Sequence, residues 1–240
     1  MNKQFTHKVA CYDCGEEVWD LKLHRNMCPK SRKNKSLVTN AMEPKSQLAK
    51  EAEDKRENEI DIFFLLDVSG SMDGYKLSES KRVLSDIVNK LDGHDRFSII
   101  TFDTDAYLKL KPHPVRKVKR EIPETLNRIF AKGGTAMYDA IHLVYDQIKD
   151  KSKKSVIIVL TDGEDNSSKK TLQSVFARAS EYTNISLNIL YISSDNNHLQ
   201  IYKELCEKIK GRYDTTNEKE IYDKFLKFSI EVIIKIKTNN

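Results

Sequence analysis

The sequence predicts an α/β fold: a doubly wound, mainly parallel β-sheet flanked by helices, with a small N-terminal zinc-binding module. Three observations lead to this prediction. Short runs of bulky apolar residues alternate with segments of helical periodicity from position 59 to position 238. Oxygen-bearing side chains directly follow two of these apolar runs, and three of the four cysteines lie within the first 28 residues together with a histidine.

Length and composition fit a globular protein with one large domain and one small module. The chain has 240 residues, of which 39% are hydrophobic, and 41 Lys+Arg against 36 Asp+Glu give a formal net charge of +5. These values exclude a collagen-like or wholly disordered chain. We expect a zinc finger over residues 1–28, a basic and charged linker over 29–58 that is partly helical, and the α/β domain over 59–238.

The secondary structure of the large domain follows from its hydrophobic pattern. Continuous or near-continuous apolar runs predict buried strands, weak alternation predicts an edge strand over 106–110, and 212–215 is expected to form a last short strand. Apolar residues that recur every three or four positions predict helices, the fourth of which is expected to end at a C-cap, Gly211. In chain order, the predicted elements are strand 60–66, helix 76–91, strands 97–102 and 106–110, helix 137–148, strand 156–160, helix 170–182, strand 185–192, helix 199–209, strand 212–215 and a helix from about 218.

The sequence offers no candidate membrane span. Its longest apolar runs, residues 62–66 and 156–160, are much shorter than the ~20 residues that a bilayer requires. The polar N-terminus does not resemble a secretory signal peptide. We therefore expect an intracellular, cytoplasmic protein that does not contact membranes, with the nucleus as an alternative location.

Five oxygen-bearing side chains are expected to meet at one edge of the sheet. Asp67, Ser69 and Ser71 follow the first strand, Asp162 follows the 156–160 strand, and Thr135 precedes the second long helix. The carboxyl ends of parallel strands share an edge, and ligands bind there in open α/β sheets. Two carboxylates with three hydroxyls suit a hard cation, Mg²⁺ or Mn²⁺, better than zinc. The simpler interpretation is that Asp67 and the serines only cap a helix.

This arrangement resembles a known family. The D-x-S-x-S motif, the threonine after Gly-Gly and the T-D-G motif are similar in order and spacing to the metal-ion-dependent adhesion site (MIDAS) of von Willebrand factor A (vWA) domains, over about residues 58–238. The resemblance implies a vWA fold with an antiparallel edge strand. It also implies a divalent metal held by Asp67, Ser69, Ser71, Thr135 and Asp162, with a partner's Asp or Glu carboxylate completing the metal's shell. Asp73 and Asp103, nearby in sequence, are interpreted as solvated loop residues, with a supporting role behind the metal ligands as the alternative.

A second metal site is predicted at the N-terminus. Cys11, Cys14, His24 and Cys28 have the spacing C-x2-C-x9-H-x3-C, which suits a closed, structural Zn²⁺ site. Free buried cysteines are the alternative. The spacing resembles the small Cys-Cys-His-Cys fingers of ubiquitin-binding and TRAF-like proteins, which makes ubiquitin an alternative partner. Asn26 departs from that pattern, since those fingers often carry an acidic residue at its position.

We expect a binding protein rather than an enzyme. The histidines are scattered in sequence, and none lies near Ser69 or Ser71 as a base. The sequence therefore predicts an intracellular, divalent-metal-dependent protein–protein interaction module, an adaptor or scaffold. A ubiquitin-pathway protein that acts through the finger is the alternative. A nucleic-acid-associated protein ranks below both. Basic residues at 30–35 and 116–120 suggest it, but no aromatic residues interleave with those basic clusters. A metal-dependent hydrolase ranks last.

Overall fold

The computed structural model describes residues 9–10, 17–18, 59–193 and 199–238. The chain divides into two compact units, Met1–Glu57 and Asn58–Asn240. In the first unit, strands β1 (Val9–Ala10) and β2 (Glu17–Val18) pair in antiparallel register. The predicted linker over 29–58 lies outside the described residues, and so do the four predicted zinc ligands, which are Cys11, Cys14, His24 and Cys28.

The second unit contains a six-stranded sheet of order β5-β4-β3-β6-β7-β8. All neighbouring strands are parallel except β5, which runs antiparallel to β4 at one edge. This topology confirms the predicted mainly parallel sheet and its antiparallel edge strand. The strands are β3 (Asp61–Asp67), β4 (Arg96–Phe102), β5 (Ala106–Pro114), β6 (Ser155–Thr161), β7 (Ile185–Ile192) and β8 (Tyr213–Thr216).

Helices cover both faces of this sheet, and alternate residues of the central strand point to the two faces. Phe64 of β3 belongs to one core and packs edge-on against Phe225 at 5.9 Å between ring centroids, whereas Phe63 belongs to the other core with Ile141. Burial of such large apolar side chains stabilises the fold by about 2 kcal/mol each. The first core contains α1 (Tyr75–Lys90), α2 (Val115–Val118), α3 (Ile122–Asn127) and α7 (Ile221–Thr238), and the second contains α4 (Met137–Gln147), α5 (Leu172–Ala179) and α6 (Leu199–Lys208).

None of the helices in the described ranges is long and apolar enough to cross a bilayer.

The edge strand β5 is longer than the predicted 106–110. It continues to Pro114, and its residues alternate mostly between exposed and half-buried positions. Two lysines, Lys109 and Lys111, are exposed on it, and prolines occupy two of its last three positions, 112 and 114. Proline has no backbone N–H to donate, so prolines are tolerated in a strand only at an edge such as this one.

The segment after β5 forms two short helices, α2 and α3, that the hydrophobic pattern did not predict. Their apolar residues are buried against α1 and the sheet, and the intervening basic residues are exposed. The buried residues recur every three or four positions, but each helix has fewer than eight residues, too short for a clear periodic signal. The buried set is Val115, Val118, Ile122 and Leu126, and the exposed basic set is Arg116, Lys117, Lys119 and Arg120.

The end of α6 differs from the prediction of a cap at Gly211. Lys210 has the left-handed backbone conformation, with φ of 53°, that was expected of a glycine. The Gly211 N–H donates to the Cys206 carbonyl at 2.7 Å, as in a Schellman motif. Gly211 is needed for a different reason: a Cβ there would lie 1.6 Å from the Leu187 carbonyl oxygen of β7.

We predict that Gly211→Ala strongly destabilises the large domain. Strand β7 cannot move away from the added methyl group without breaking its pairing with β6 and β8, so the free energy of unfolding should fall by about 3 kcal/mol. Thermal unfolding followed by circular dichroism measures the change. Gly93→Ala is the matched control, since its added Cβ would meet only Arg116 Cβ at 3.4 Å. Equal melting temperatures for the two variants would contradict the prediction.

A buried histidine links α4 to α5. His142 is 8% exposed, and its Nε2 lies 2.9 Å from Ser174 Oγ. Burial, followed by the positive charge of Arg178, lowers the pKa of His142 from its ordinary value of 6.5. The folded protein therefore binds a proton at His142 less readily than the unfolded chain does.

We predict that His142 makes stability decline with acidification below about pH 6.5, where the unfolded chain takes up a proton that the folded chain does not. The loss of Tm between pH 7.5 and 5.5, measured in thermal melts, should be larger for the wild type than for His142→Gln. A His142→Gln slope equal to that of the wild type would refute the prediction.

Candidate functional site

The site begins at the carboxyl ends of two neighbouring central strands. Asp67 is the last residue of β3, and Thr161 is the last residue of β6. Asp67 is fully buried; its Oδ1 accepts the Ser69 N–H at 2.8 Å and its Oδ2 accepts the Thr161 hydroxyl at 2.5 Å. Burial raises the pKa of Asp67 to about 6, although these hydrogen bonds act in the opposite direction. A cation beside this carboxylate would stabilise its charged form.

A chain of hydroxyls connects this strand end to the next loop. Ser69 Oγ lies 3.1 Å from Ser71 Oγ, and the Ser71 hydroxyl donates to Asp162 Oδ1 at 2.7 Å. Ser71 lies in a short 3₁₀ turn, Gly70–Met72, between β3 and α1. The Asp162 side chain is 2% exposed. The structure therefore brings the D-x-S-x-S motif and the aspartate of T-D-G into direct contact.

Thr135 approaches the same place from the loop before α4. The Gly133 carbonyl accepts the Gly70 N–H at 3.1 Å, which joins this loop to the turn after β3. Gly133 has φ of 71°, and a Cβ there would lie 2.5 Å from Thr104 Oγ1, so only glycine fits. A Cβ on Gly163 would lie 3.3 Å from the Thr135 hydroxyl oxygen. Within the described parts of the chain, that hydroxyl makes no hydrogen bond and is available to a ligand.

The loop after Asp162 holds Thr135 in place, and sequence reasoning missed its contribution. Asn166 Oδ1 accepts the Thr135 N–H at 2.9 Å, and the N–H groups of Asn166 and Ser167 donate to the Thr135 carbonyl. Asp165 Oδ2 accepts the Tyr138 N–H at 2.9 Å in the first turn of α4. The sequence signal that could have revealed this role is the presence of Asn, Asp and Ser in the loop, because their side chains readily form hydrogen bonds with backbone groups.

Asp73 and Asp103, which lie near the site residues in the sequence, differ in their exposure to solvent. Asp73 is exposed, as expected of a solvated loop residue. For Asp103 the same interpretation is wrong, because it is 4% exposed. Its carbonyl accepts the Ala136 N–H at 2.7 Å, and its carboxylate accepts the Asp105 N–H at 3.2 Å. Asp103 therefore fixes the loop that carries Thr135.

The structure adds Lys76 to the site. Its ammonium donates to Asp162 Oδ2 at 2.6 Å and to the Ser71 carbonyl at 3.1 Å. Lys76 lies in the first turn of α1, where a positive charge is unfavourable beside the N-terminal end of the helix dipole. The sequence does not reveal this pairing, since Lys76 and Asp162 are 86 positions apart.

A cavity of about 260 Å³ lies beside the site. It adjoins Val68, between Asp67 and Ser69, and the buried Asp103. Phe130 on its rim is 73% exposed, an unusual exposure for a large aromatic side chain. Its other lining residues include three cations and a second exposed aromatic: Lys109, Arg128, Lys132 and Tyr107.

The donor set of the site suits a hard divalent cation. Two carboxylates and three hydroxyls converge, and all of them are oxygen ligands. In the described ranges, no group of three His, Cys, Asp or Glu side chains is arranged to hold a metal ion. A metal at the strand ends would therefore depend on the serine and threonine hydroxyls as well as on the two aspartates.

Comparisons with known proteins agree with this fold. A sequence model of the von Willebrand factor type A domain matches residues 61–222. An uncharacterised protein of Synechocystis is 34% identical over 118 residues, which are 48% of this chain and 28% of that protein. Inter alpha-trypsin inhibitor heavy chain 4 of Mus musculus is 31% identical over 115 residues, covering 43% of this chain and 12% of its own. The matched region thus spans less than a third of either relative.

Solved structures show the same fold at low sequence identity. A von Willebrand factor type A protein from Catenulispora acidiphila has a TM-score of 0.63 and 19% identity, covering 73% of this chain and 43% of its own. Proximal thread matrix protein 1 of the mussel byssus, described with a zinc-occupied MIDAS motif, has a TM-score of 0.59 and 17% identity, covering 75% and 46%. By fold and by sequence, the chain belongs to the von Willebrand factor type A domain family, a family of metal-dependent protein-interaction modules.

Proposed function

We propose that this protein is a divalent-metal-dependent protein-interaction module that acts as an intracellular adaptor or scaffold. Asp67, Ser69, Ser71, Thr135 and Asp162 would hold Mg²⁺ or Mn²⁺, and a partner protein would supply an Asp or Glu carboxylate. The observation that carries the proposal is the convergence of these five side chains from three separate loops, with the Thr135 hydroxyl left without a hydrogen bond in the described part of the chain.

Each side chain has a distinct task in this proposal. The hydroxyls of Ser69, Ser71 and Thr135 supply neutral ligands, and the buried Asp67 and Asp162 supply negative charge. A bound divalent cation would supply an electrophilic centre for a carboxylate oxygen. Thr161 and the Ser69 N–H keep Asp67 oriented by occupying both of its oxygens.

The surroundings of the site favour an acidic partner segment with an apolar residue nearby. Lys109, Arg128 and Lys132 are exposed around the cavity beside the site, and they would attract negative charge. Phe130 and Tyr107 on the same rim offer aromatic surface, which is enriched in protein interfaces.

The hydrogen bonding of the serines supports binding rather than catalysis. A serine nucleophile needs a neighbouring base that takes its proton. In the described residues, no histidine bonds Ser69 or Ser71, and the Asp162 carboxylate that accepts the Ser71 hydroxyl is also bound by the Lys76 ammonium. We therefore propose no catalytic role for this cluster.

We predict that Thr135→Val weakens metal binding while the fold is retained, because valine keeps the shape of threonine and removes only the hydroxyl. Mn²⁺ binding, followed by electron paramagnetic resonance of the free ion, should weaken about 10-fold or more. Partners recovered from native cell extract in Mg²⁺ should be lost with this variant and, for the wild type, in EDTA.

Thr101→Val is the matched control for this experiment. Thr101 is a buried threonine of β4 whose hydroxyl has no hydrogen-bond partner in the described part of the chain. Its replacement should leave Mn²⁺ binding unchanged and should not lower the melting temperature. Equal Mn²⁺ affinity of the wild type and Thr135→Val would refute the proposed metal site.

The identity of the metal is a separate part of the proposal. Oxygen ligands favour Mg²⁺ or Mn²⁺ over zinc. The mussel byssus protein is described with zinc in its MIDAS motif, so a site of this kind can hold zinc. For this chain we propose Mg²⁺ or Mn²⁺, and competition of Mg²⁺ and Zn²⁺ against bound Mn²⁺ would rank the ions.

We also propose a structural zinc finger over residues 1–28, joined by the linker 29–58 to the vWA domain over 59–238. Strands β1 and β2, which lie on either side of Cys11 and Cys14 in the sequence, pair antiparallel. Two cysteines separated by two residues are a common pair of zinc ligands. His24 and Cys28 would complete the shell. Ubiquitin is an alternative partner for this finger, and an unchanged ubiquitin NMR spectrum on titration with the full chain would exclude it.

We predict that the full chain retains zinc in the finger after dialysis, and that Cys14→Ser releases it. A closed shell of three thiolates and one imidazole binds Zn²⁺ tightly, so elemental analysis should show a loss of about one equivalent per chain. Both proteins should carry Thr135→Val, which removes any zinc held at the oxygen cluster. Cys206→Ala, which alters a buried core thiol, is the control and should keep the zinc. Equal zinc content in all of these proteins would rule out the finger.

A further inference from the structure

Lys76 places a fixed positive charge inside the oxygen cluster. Its ammonium lies 2.6 Å from Asp162 Oδ2, and the other oxygen of Asp162 accepts the Ser71 hydroxyl at 2.7 Å. The Lys76 side chain is 23% exposed and the Asp162 side chain 2% exposed. This ion pair is therefore largely shielded from solvent, unlike an ordinary surface pair.

The charge of the cluster follows from these groups. Two carboxylates, Asp67 and Asp162, and one ammonium, Lys76, give a formal charge of −1. A divalent cation brings the total to +1, and a carboxylate from a partner then brings it to zero. Without Lys76 the corresponding totals would be −2, zero and −1. The lysine thus opposes the binding of the metal and favours the binding of the carboxylate.

We propose that Lys76 sets the balance between the two binding steps of this site: it weakens the affinity of the cluster for a divalent cation and strengthens the affinity of the loaded cluster for an anionic partner group. The proposal rests on the proposed metal-dependent function and adds a residue that determines its selectivity. The lysine also keeps the empty cluster from carrying two uncompensated charges.

A purely structural role for the ion pair would have a different signature. If Lys76 only held the loop after β6 in place, its removal would disorder the ligands and weaken both binding steps together. A role in charge balance moves the two affinities in opposite directions. The sign of the two changes, rather than their size, therefore separates the two roles.

The test uses Lys76→Met in the full chain, since methionine replaces most of the apolar stem and removes the charge. Mn²⁺ affinity should rise about 10-fold, and the affinity of the Mn²⁺-loaded protein for acetate should fall about 3-fold, as expected for one unit charge a few ångströms away in a water-like dielectric. Free Mn²⁺ is measured by electron paramagnetic resonance. Acetate binding is measured by the loss of water-proton relaxation enhancement. Low ionic strength limits screening.

Two further variants serve as controls. Lys76→Arg keeps the charge and should stay close to the wild type in both measurements. Lys81→Met removes the same charge from the same helix, but the Lys81 ammonium bonds the Ile129 carbonyl instead of the cluster. Its effect on both affinities should be much smaller. Thermal melts confirm that each variant is folded.

The outcomes separate this inference from the proposed function. Mn²⁺ affinity that is unchanged or reduced in folded Lys76→Met, while the wild type binds Mn²⁺ and Thr135→Val binds it more weakly, would overturn the role of Lys76 alone. If neither the wild type nor Lys76→Met bound Mn²⁺, the proposed function and this inference would both be overturned. If only Lys76→Met bound Mn²⁺, the opposition of the lysine to metal would be supported and the metal-dependent function of the wild type refuted.

Discussion

The organisation of the site depends on one buried carboxylate. Asp67 ends the central strand β3 with no exposed surface, and its two oxygens bond the Ser69 amide and the Thr161 hydroxyl. The first bond shapes the turn after β3, and the second connects β3 to the end of β6. Burying a carboxylate without partners would cost several kcal/mol. These bonds offset part of that cost, and the pKa raised to about 6 shows that desolvation still dominates.

The remaining loops are fixed relative to this carboxylate by backbone hydrogen bonds. The N–H of Gly70 donates to Gly133, and the N–H of Lys132 donates to Val68, so the loop before α4 is attached to the turn after β3 at two points. Ala136 is bonded in turn to Asp103 at the end of β4. The ends of two parallel strands, β3 and β4, are thus joined to this loop through main-chain groups. These bonds fix the backbone that carries the hydroxyls, and such preorganisation would lower the entropic cost of binding a ligand.

The central sheet and most of the site could be predicted from the sequence. Strands such as 156–160 are continuous apolar runs that only a doubly covered sheet can bury, and D-x-S-x-S, Gly-Gly-Thr and T-D-G give a distinctive order of oxygen ligands. Features that depend on tertiary contacts could not be predicted in this way. The pairing of Lys76 with Asp162 joins residues 86 positions apart, and the burial of Asp103 depends on the loop that ends at Ala136. The short helices α2 and α3 lacked the length that makes periodicity clear.

Strand β5 is one of the two edge strands of the sheet. An edge strand presents unpaired backbone groups that can template the addition of another chain. In β5, the prolines at 112 and 114 remove two N–H donors, and the exposed Lys109 and Lys111 place like charges along its length. A second copy of the same strand would meet missing donors and charge repulsion. The composition of β5 therefore protects this edge of the sheet from edge-to-edge aggregation, independently of any binding at the strand ends.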